Sequence, residues 1–134
     1  MIGLVIVSEG GLAREFVAAS ERVLGRPQPQ LEALVIDSDG PDERNRQRLS
    51  DAIARVDSGD GVIVLTDMLG GTANNLALAM AARSTNIAVL GGINLRVLLK
   101  LARVREHCSL SAAVAAARDS ARRHIMSSFD LMGR

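Results

Sequence analysis

The chain has no tryptophan and no tyrosine, and its only aromatic rings besides histidine are Phe16 and Phe129. It carries one cysteine, two histidines (His107 and His124) and a single lysine, Lys100, against fifteen arginines. Each scarcity excludes something. Cys108 alone forms neither an internal disulfide nor a cysteine-rich zinc site, which suits a reducing, cytoplasmic compartment. Two histidines and one thiol leave little beyond carboxylates to ligate a metal, so neither a metal nor another cofactor is expected. A formal net charge of only +1, with no stacking aromatics, argues against nucleic acid as a partner. No apolar run approaches the roughly 20 residues of a membrane span, so no direct membrane insertion is expected. The run Ile2–Val7 is short and has no cationic leader, unlike a signal peptide.

What is present is aliphatic. At 134 residues and 48% hydrophobic content, the chain suits one domain over residues 1–134, with a core of Val, Ile, Leu, Ala and Met. Ile2–Val7, Leu31–Ile36, Gly61–Thr66 and Asn86–Leu90 read as strands. The first and third are continuously apolar, as strands covered on both faces must be. Helical spacing lies between them: Leu12, Phe16, Ala19 and Val23 mark one helix, and Leu49, Ala52, Ile53 and Val56 mark the buried stripe of a second. Leu76, Ala77 and Met80 mark a third, and Leu95, Leu98, Leu99 and Ala102 a fourth. A fifth, alanine-rich helix runs from about Ser111 to Arg122, capped by Ser109 or Ser111. The alternation predicts an α/β fold, an open, doubly wound, mostly parallel sheet in the flavodoxin-like order 2-1-3-4. Residues His124–Leu131 allow either a prolonged last helix or an antiparallel edge strand on Ile125, Ser127, Phe129 and Leu131. Such a strand would also suit pairing with a second subunit.

Three strands are followed closely by paired glycines: Gly10-Gly11, Gly70-Gly71 and Gly91-Gly92. A single pair is ordinary turn chemistry. Three on one sheet edge suggest a crevice where helix N-termini can meet a phosphate-sized anion. Neither G-x-G-x-x-G nor G-x-x-x-x-G-K-[ST] occurs, which argues against a nucleotide. Glu9 follows the first strand and Asp67 the third, so two carboxylates meet at neighbouring strand ends, either as an acid–base pair or as ordinary turn residues. Thr72 and Asn74 open the third helix, as caps or as anion donors. Arg44, Arg46 and Arg48 read as a solvated helix face. Arg103, Arg105, Arg118, Arg122 and Arg123 read as surface charge, with a partner-docking patch as the alternative. Cys108, His107 and His124 lie outside every strand-end turn and are not expected to be catalytic.

The segments Val5–Glu15 (VIVSEGGLARE), Leu65–Ala77 (LTDMLGGTANNLA) and Gly91–Ala102 (GGINLRVLLKLA) resemble three signature segments of one family. It is the IIA domain of the mannose/fructose/sorbose class of the bacterial phosphoenolpyruvate:sugar phosphotransferase system. The resemblance implies a homodimer with an open α/β sheet and allows an exchanged C-terminal strand. It also implies a phosphocarrier, which takes a phosphoryl group from the carrier HPr onto a histidine and hands it to a IIB component.

The departures cluster at one place. The family's acceptor histidine follows Ser or Thr after the first strand, and here that position holds Glu9. The acid that orients the histidine is matched by Asp67. Ala73 and Asn74 replace the middle of a G-G-T/S-P-S/F-N motif, and Arg96 stands where the G-V-N-L-P-M segment has proline. The resemblance therefore assigns Glu9 and Asp67 to the catalytic position. It assigns Gly10, Gly70, Gly71, Thr72, Asn74 and Arg96 to anion binding. Three readings follow. One is a regulatory or binding variant whose Glu9 mimics a phosphorylated site toward HPr, a IIB component or a regulatory kinase. Another is a working phosphocarrier using Glu9, or His124 of a neighbouring subunit. The third is a small hydrolase built on Glu9 and Asp67, for which no nucleophile or metal cluster is apparent.

Overall fold

The computed structural model describes residues 1–133. Four parallel strands form one sheet: β1 (Gly3–Ser8), β2 (Leu31–Val35), β3 (Val62–Thr66) and β4 (Ile87–Gly91). Their order is β2-β1-β3-β4, the flavodoxin-like arrangement. The helices are α1 (Leu12–Leu24), α2 (Asp42–Val56), α3 (Thr72–Ala81), α4 (Leu95–Val104), α5 (Leu110–Arg123) and α6 (Ser128–Met132). No helix is long and apolar enough to cross a membrane.

With almost no rings to fill space, the two faces of the sheet divide the aliphatic side chains by size. Leu4 and Ile6 of β1 and Ile63 and Leu65 of β3 point to one side. There they meet the small Ala13 of α1 and Ala113, Ala117 and Ala121 of α5, with Val97, Leu98 and Leu101 of α4 between them. Val5, Val7, Val62 and Val64 point to the other side and meet the larger Leu49, Ile53 and Val56 of α2, with Ala73 and Ala77 of α3. Bulk on the strand faces smallness on the helix, and the reverse, so both layers reach dense packing without aromatic residues. Gly3 marks the closest approach. A Cβ there would lie within 2.7 Å of Val56 Cγ2, so the start of β1 can seat the end of α2 only without a side chain.

The edge of the sheet at the strand N-termini is tied by Arg105 and Gln30. Arg105, 2% exposed, donates to the carbonyls of Ile2, Pro29 and Gln30. Its own carbonyl accepts from Ile2 N. Desolvation lowers its pKa from the ordinary arginine value, but a guanidinium stays charged, and its partners are carbonyl dipoles. Gln30 sits at φ 51°, a strained value for a residue with a side chain. The strain is offset locally, because Gln30 Nε2 donates to Val56 O at 2.7 Å and Met1 O at 3.2 Å.

Two expectations are corrected, the edge strand of the tail and Arg105 as surface charge. The tail makes no antiparallel edge strand, and among the described residues β4 remains an open edge. Ser127 and Asp130 instead form a reciprocal capping box that starts α6, a local signal that overrides the alternation of Ile125, Ser127, Phe129 and Leu131. The buried stripe of α1 is Ala13, Phe16, Val17 and Ser20, whereas Leu12, Ala19 and Val23 are exposed. Helix α1 thus lies where its spacing placed it, small residues bring it close to the sheet, and of the four residues that mark it only Phe16 is on the face it buries. Arg105 is a buried clamp and no part of a surface patch. The stripe of α2 is as expected, and α5 is capped by Ser109, which accepts from Ala112 N.

Replacing Arg105 by methionine keeps much of the apolar stem but removes the charged donor from three carbonyls. Arg105→Met is expected to lower unfolding free energy by about 3 kcal/mol, measured by denaturant titration. Arg105→Lys should recover only part of it, since one ammonium cannot span the fork.

Candidate functional site

β1 and β3 pair through Val7 and Thr66, which brings Ser8 level with Asp67 and carries Glu9 one residue beyond. After β1 the chain turns to the α1/α4/α5 face, and after β3 to the α2/α3 face. The two turns therefore diverge, leaving the crevice that open α/β sheets use for ligands. Glu9 and Asp67 occupy its two sides.

Ser8 builds the first turn. Its hydroxyl is buried, donates to Gly10 O at 2.6 Å and accepts from Ala13 N at 2.9 Å. This draws the start of α1 back onto the strand end and sets the helix phase. Glu9, held on this loop, is exposed, and among the described residues its carboxylate has no hydrogen-bond or ion-pair partner. Gly11 is the N-cap of α1 and supplies no side-chain acceptor. Asp67 is half-buried and accepts from Met68 N at 2.9 Å.

The second and third turns are joined from beneath. Thr66 donates its hydroxyl to Asn74 Oδ1 at 2.7 Å, with both side chains buried. Asn74 Oδ1 also lies 3.0 Å from where a Cβ on Gly91 would be, so the carboxamide fills the space that Gly91 leaves. Asn74 thus works behind the turn and does not cap α3. Thr72 is exposed and does not cap it either. The N-cap is Gly71, with no side-chain bond, after Gly70 at φ 82°. Ile93 N donates to Thr66 O at 3.1 Å, and Asn94 caps α4 by accepting from Val97 N at 3.0 Å. Arg96, in the first turn of α4, is exposed and has no ion-pair partner among the described residues.

So α1 and α3 both begin beside the crevice with glycine caps that supply no side-chain acceptor; the first N–H groups of α3 lack one, while in α1 Ser8 takes that of Ala13. The partial positive charge there favours an anion, and Glu9 and Asp67 are the anions on the same turns. Neither residue lines one of the main cavities: four lie between α2 and α3, along β4 and α5, and at the α1–β2 turn, and a fifth lies beside the crevice, between Leu69, the Gly91-Gly92 turn and α5. An open surface of this kind suits a macromolecular partner better than an enclosed small molecule. His107 lies in the turn after α4, and His124 caps the C-terminus of α5, its Nδ1 2.6 Å from Ser120 O.

A family model described as the fructose IIA component of the PTS system matches residues 3–118. The chain belongs to this family. No curated protein matches it. Solved structures agree on the fold. The phosphotransferase system component EIIA of Streptococcus agalactiae superposes with a TM-score of 0.84 at 25% identity, covering 95% of this chain and 97% of that one. The mannose/sorbose specific IIA subunit of Enterococcus faecalis superposes with a TM-score of 0.82 at 17% identity, covering 94% and 93%. A sigma-54 interaction domain protein of Enterococcus faecalis shares the fold at a TM-score of 0.72 and 17% identity, covering 94% and 97%. In this IIA chain, the roles of Ser8 and Asn94 were not apparent from sequence. Ser8 ends a strand as a small polar residue before a glycine pair, and Asn94 sits just ahead of an apolar helical run. Those were the available signals.

Ser8→Ala deletes the acceptor of Ala13 N and loosens the loop that carries Glu9. It is expected to cost about 1–2 kcal/mol in a thermal or denaturant melt while leaving the helical circular dichroism of the folded protein intact.

Proposed function

We propose that this IIA-family chain works by binding and does not relay phosphate, with Glu9 as a fixed negative charge in place of the acceptor histidine. The observation that carries the reading is Glu9 itself. It stands exposed and unpartnered at the end of β1, the position the resemblance gives to that histidine, and Asp67 stands across the crevice. A neutral imidazole offers a nitrogen lone pair to phosphorus and becomes a high-energy phosphoramidate. A carboxylate would form an acyl phosphate, and here a second carboxylate also opposes the incoming phosphoryl anion. Phosphoryl transfer depends on positioning and on neutralising charge, and an added anion works against both.

The same carboxylate suits a constant imitation of a phosphorylated site. It lies on the turn into α1, whose N-terminal partial positive charge would complement it, and Arg96 lies in the first turn of α4, after the neighbouring β4. The partners this reading implies are an HPr-like carrier and a IIB component, or a regulatory kinase, in the cytoplasm. It also includes a homodimer, with Gly10, Gly70, Gly71 and Thr72 forming the anion-favouring rim of each site. What supports the dimer is the tail: Ile125, Phe129, Leu131 and Met132 are exposed on α6 and its approach, beside a sheet whose β4 edge is unpaired.

Two measurements test this. Sedimentation equilibrium should give twice the 14.2 kDa chain mass, and Phe129→Asp with Leu131→Asp should shift the protein to monomer. A monomeric parent protein would remove the dimer from the reading. Incubation with labelled phosphoenolpyruvate, enzyme I and HPr is expected to leave the chain unlabelled. Label stable to alkali and lost in acid would mean a phosphohistidine and would overturn the proposal. Label lost in alkali as well as to hydroxylamine, and absent in Glu9→Gln, would mean an acyl phosphate on Glu9 and would establish a working phosphocarrier instead.

A further inference from the structure

The crevice is ringed by apolar side chains that no core explains. Leu12, in the first turn of α1, is 46% exposed, and Met68 and Leu69, which follow Asp67, are 64% and 71% exposed. These residues sit on the same two turns as Glu9 and Asp67. Apolar side chains on the loops of an otherwise polar sheet edge mark a docking surface. At its centre the charges are the two carboxylates. Arg14 and Glu15 in the first turn of α1 offset one another, the first turn of α3 has no charged residue, Arg96 is the one cation at the start of α4, and Arg118 and Arg122 of α5 line a cavity with Leu69 on the outer side of the ring. The partial positive charges of the α1 and α3 N-termini are already opposed by Glu9 and Asp67 on the turns leading into them.

A partner seated on the apolar ring would expel water from the centre and lower the local dielectric, which strengthens every charge interaction there. A carrier whose docking residue bears a phosphoryl group brings a dianion against two carboxylates. The same carrier without it brings no such dianion, and the two carboxylates do not oppose it.

We infer that this surface reads the phosphorylation state of the carrier that docks on it, binding the unphosphorylated form in preference to the phosphorylated one. The inference rests on Glu9 acting as a fixed charge, and goes beyond it in assigning which state of the partner is held. The chain then reports a carrier pool drained of phosphate, and Glu9 sets the selectivity by charge alone. Leu12, Met68 and Leu69 supply affinity common to both forms.

Calorimetric titration with purified HPr and with HPr kept phosphorylated by phosphoenolpyruvate and enzyme I tests this, with the IIA chain checked for label in the same samples. The unphosphorylated form is expected to bind at least about tenfold more tightly at low ionic strength. The preference should narrow severalfold in high salt and fall to within about threefold in Glu9→Gln. Leu69→Ser should weaken both forms alike. Equal affinities, tighter binding of the phosphorylated form, or binding of neither form, in a chain that takes no label, would overturn the inference and leave the non-relaying reading standing. Label on the chain would overturn that reading and this inference with it.

Discussion

The central constraint in this molecule is the pairing of β1 with β3 while their following helices leave to opposite faces. Val7 against Thr66 fixes the register, and that register alone decides that Ser8, Glu9 and Asp67 end side by side. Right-handed crossovers then send α1 to one layer and α3 to the other. The crevice between Glu9 and Asp67 is a consequence of topology and needs no dedicated scaffold. The aliphatic core enforces the same pairing: alternate residues of both strands serve opposite layers, so a one-residue slip would exchange the Leu/Ile face with the Val face.

The two edges of the sheet divide stability from recognition. At the N-terminal edge, Arg105 and Gln30 bind β1, the α1–β2 turn and the end of α4 with buried hydrogen bonds to backbone carbonyls. At the C-terminal edge, the buried bonds run beneath the turns, through Ser8 to Gly10 and Ala13 and through Thr66 to Asn74. Glu9 takes part in none of them. A residue that holds up nothing can be exchanged for another without disturbing the frame, so the chemistry of this position is free to vary while the fold stays put.

The strands, their order and the meeting of the three glycine turns were legible in the sequence because buried parallel strands must be continuously apolar and crossovers have one hand. The α2 stripe was legible because a polar helix with one apolar face has only one way to lie. Helix α1 was legible too, but the face it buries was not, because Leu12 and Val23 imitate a buried stripe while the small Ala13 and Ser20 make the contact, and hydrophobicity counts size. The tail was misread for a related reason. Ile125, Phe129 and Leu131 alternate like a strand, but the Ser127–Asp130 capping box acts over three residues and needs no partner, whereas a strand needs an edge to pair with. At the site, Glu9 and Asp67 were located by counting from strand ends. The inward turn of Asn74 was invisible, since an asparagine at a helix start reads equally as cap, donor or filler until Gly91 beside it is known to leave a gap.

The charge at the crevice explains why its surroundings differ from an ordinary anion site. A site built to hold a free phosphate would keep its donors unopposed. Here the N-terminus of α1 follows Glu9 and that of α3 follows Asp67, so the field that would attract an anion is already answered within the chain. What remains unanswered is hydrophobic: Leu12, Met68 and Leu69 stay exposed and can be satisfied only by another surface. Apolar contact supplies affinity with little regard to charge, and the carboxylates supply discrimination with little affinity of their own. On the proposed reading, placing the two on the same pair of loops makes binding conditional on the partner's charge, which a relay of phosphoryl groups does not require and a reader of them does.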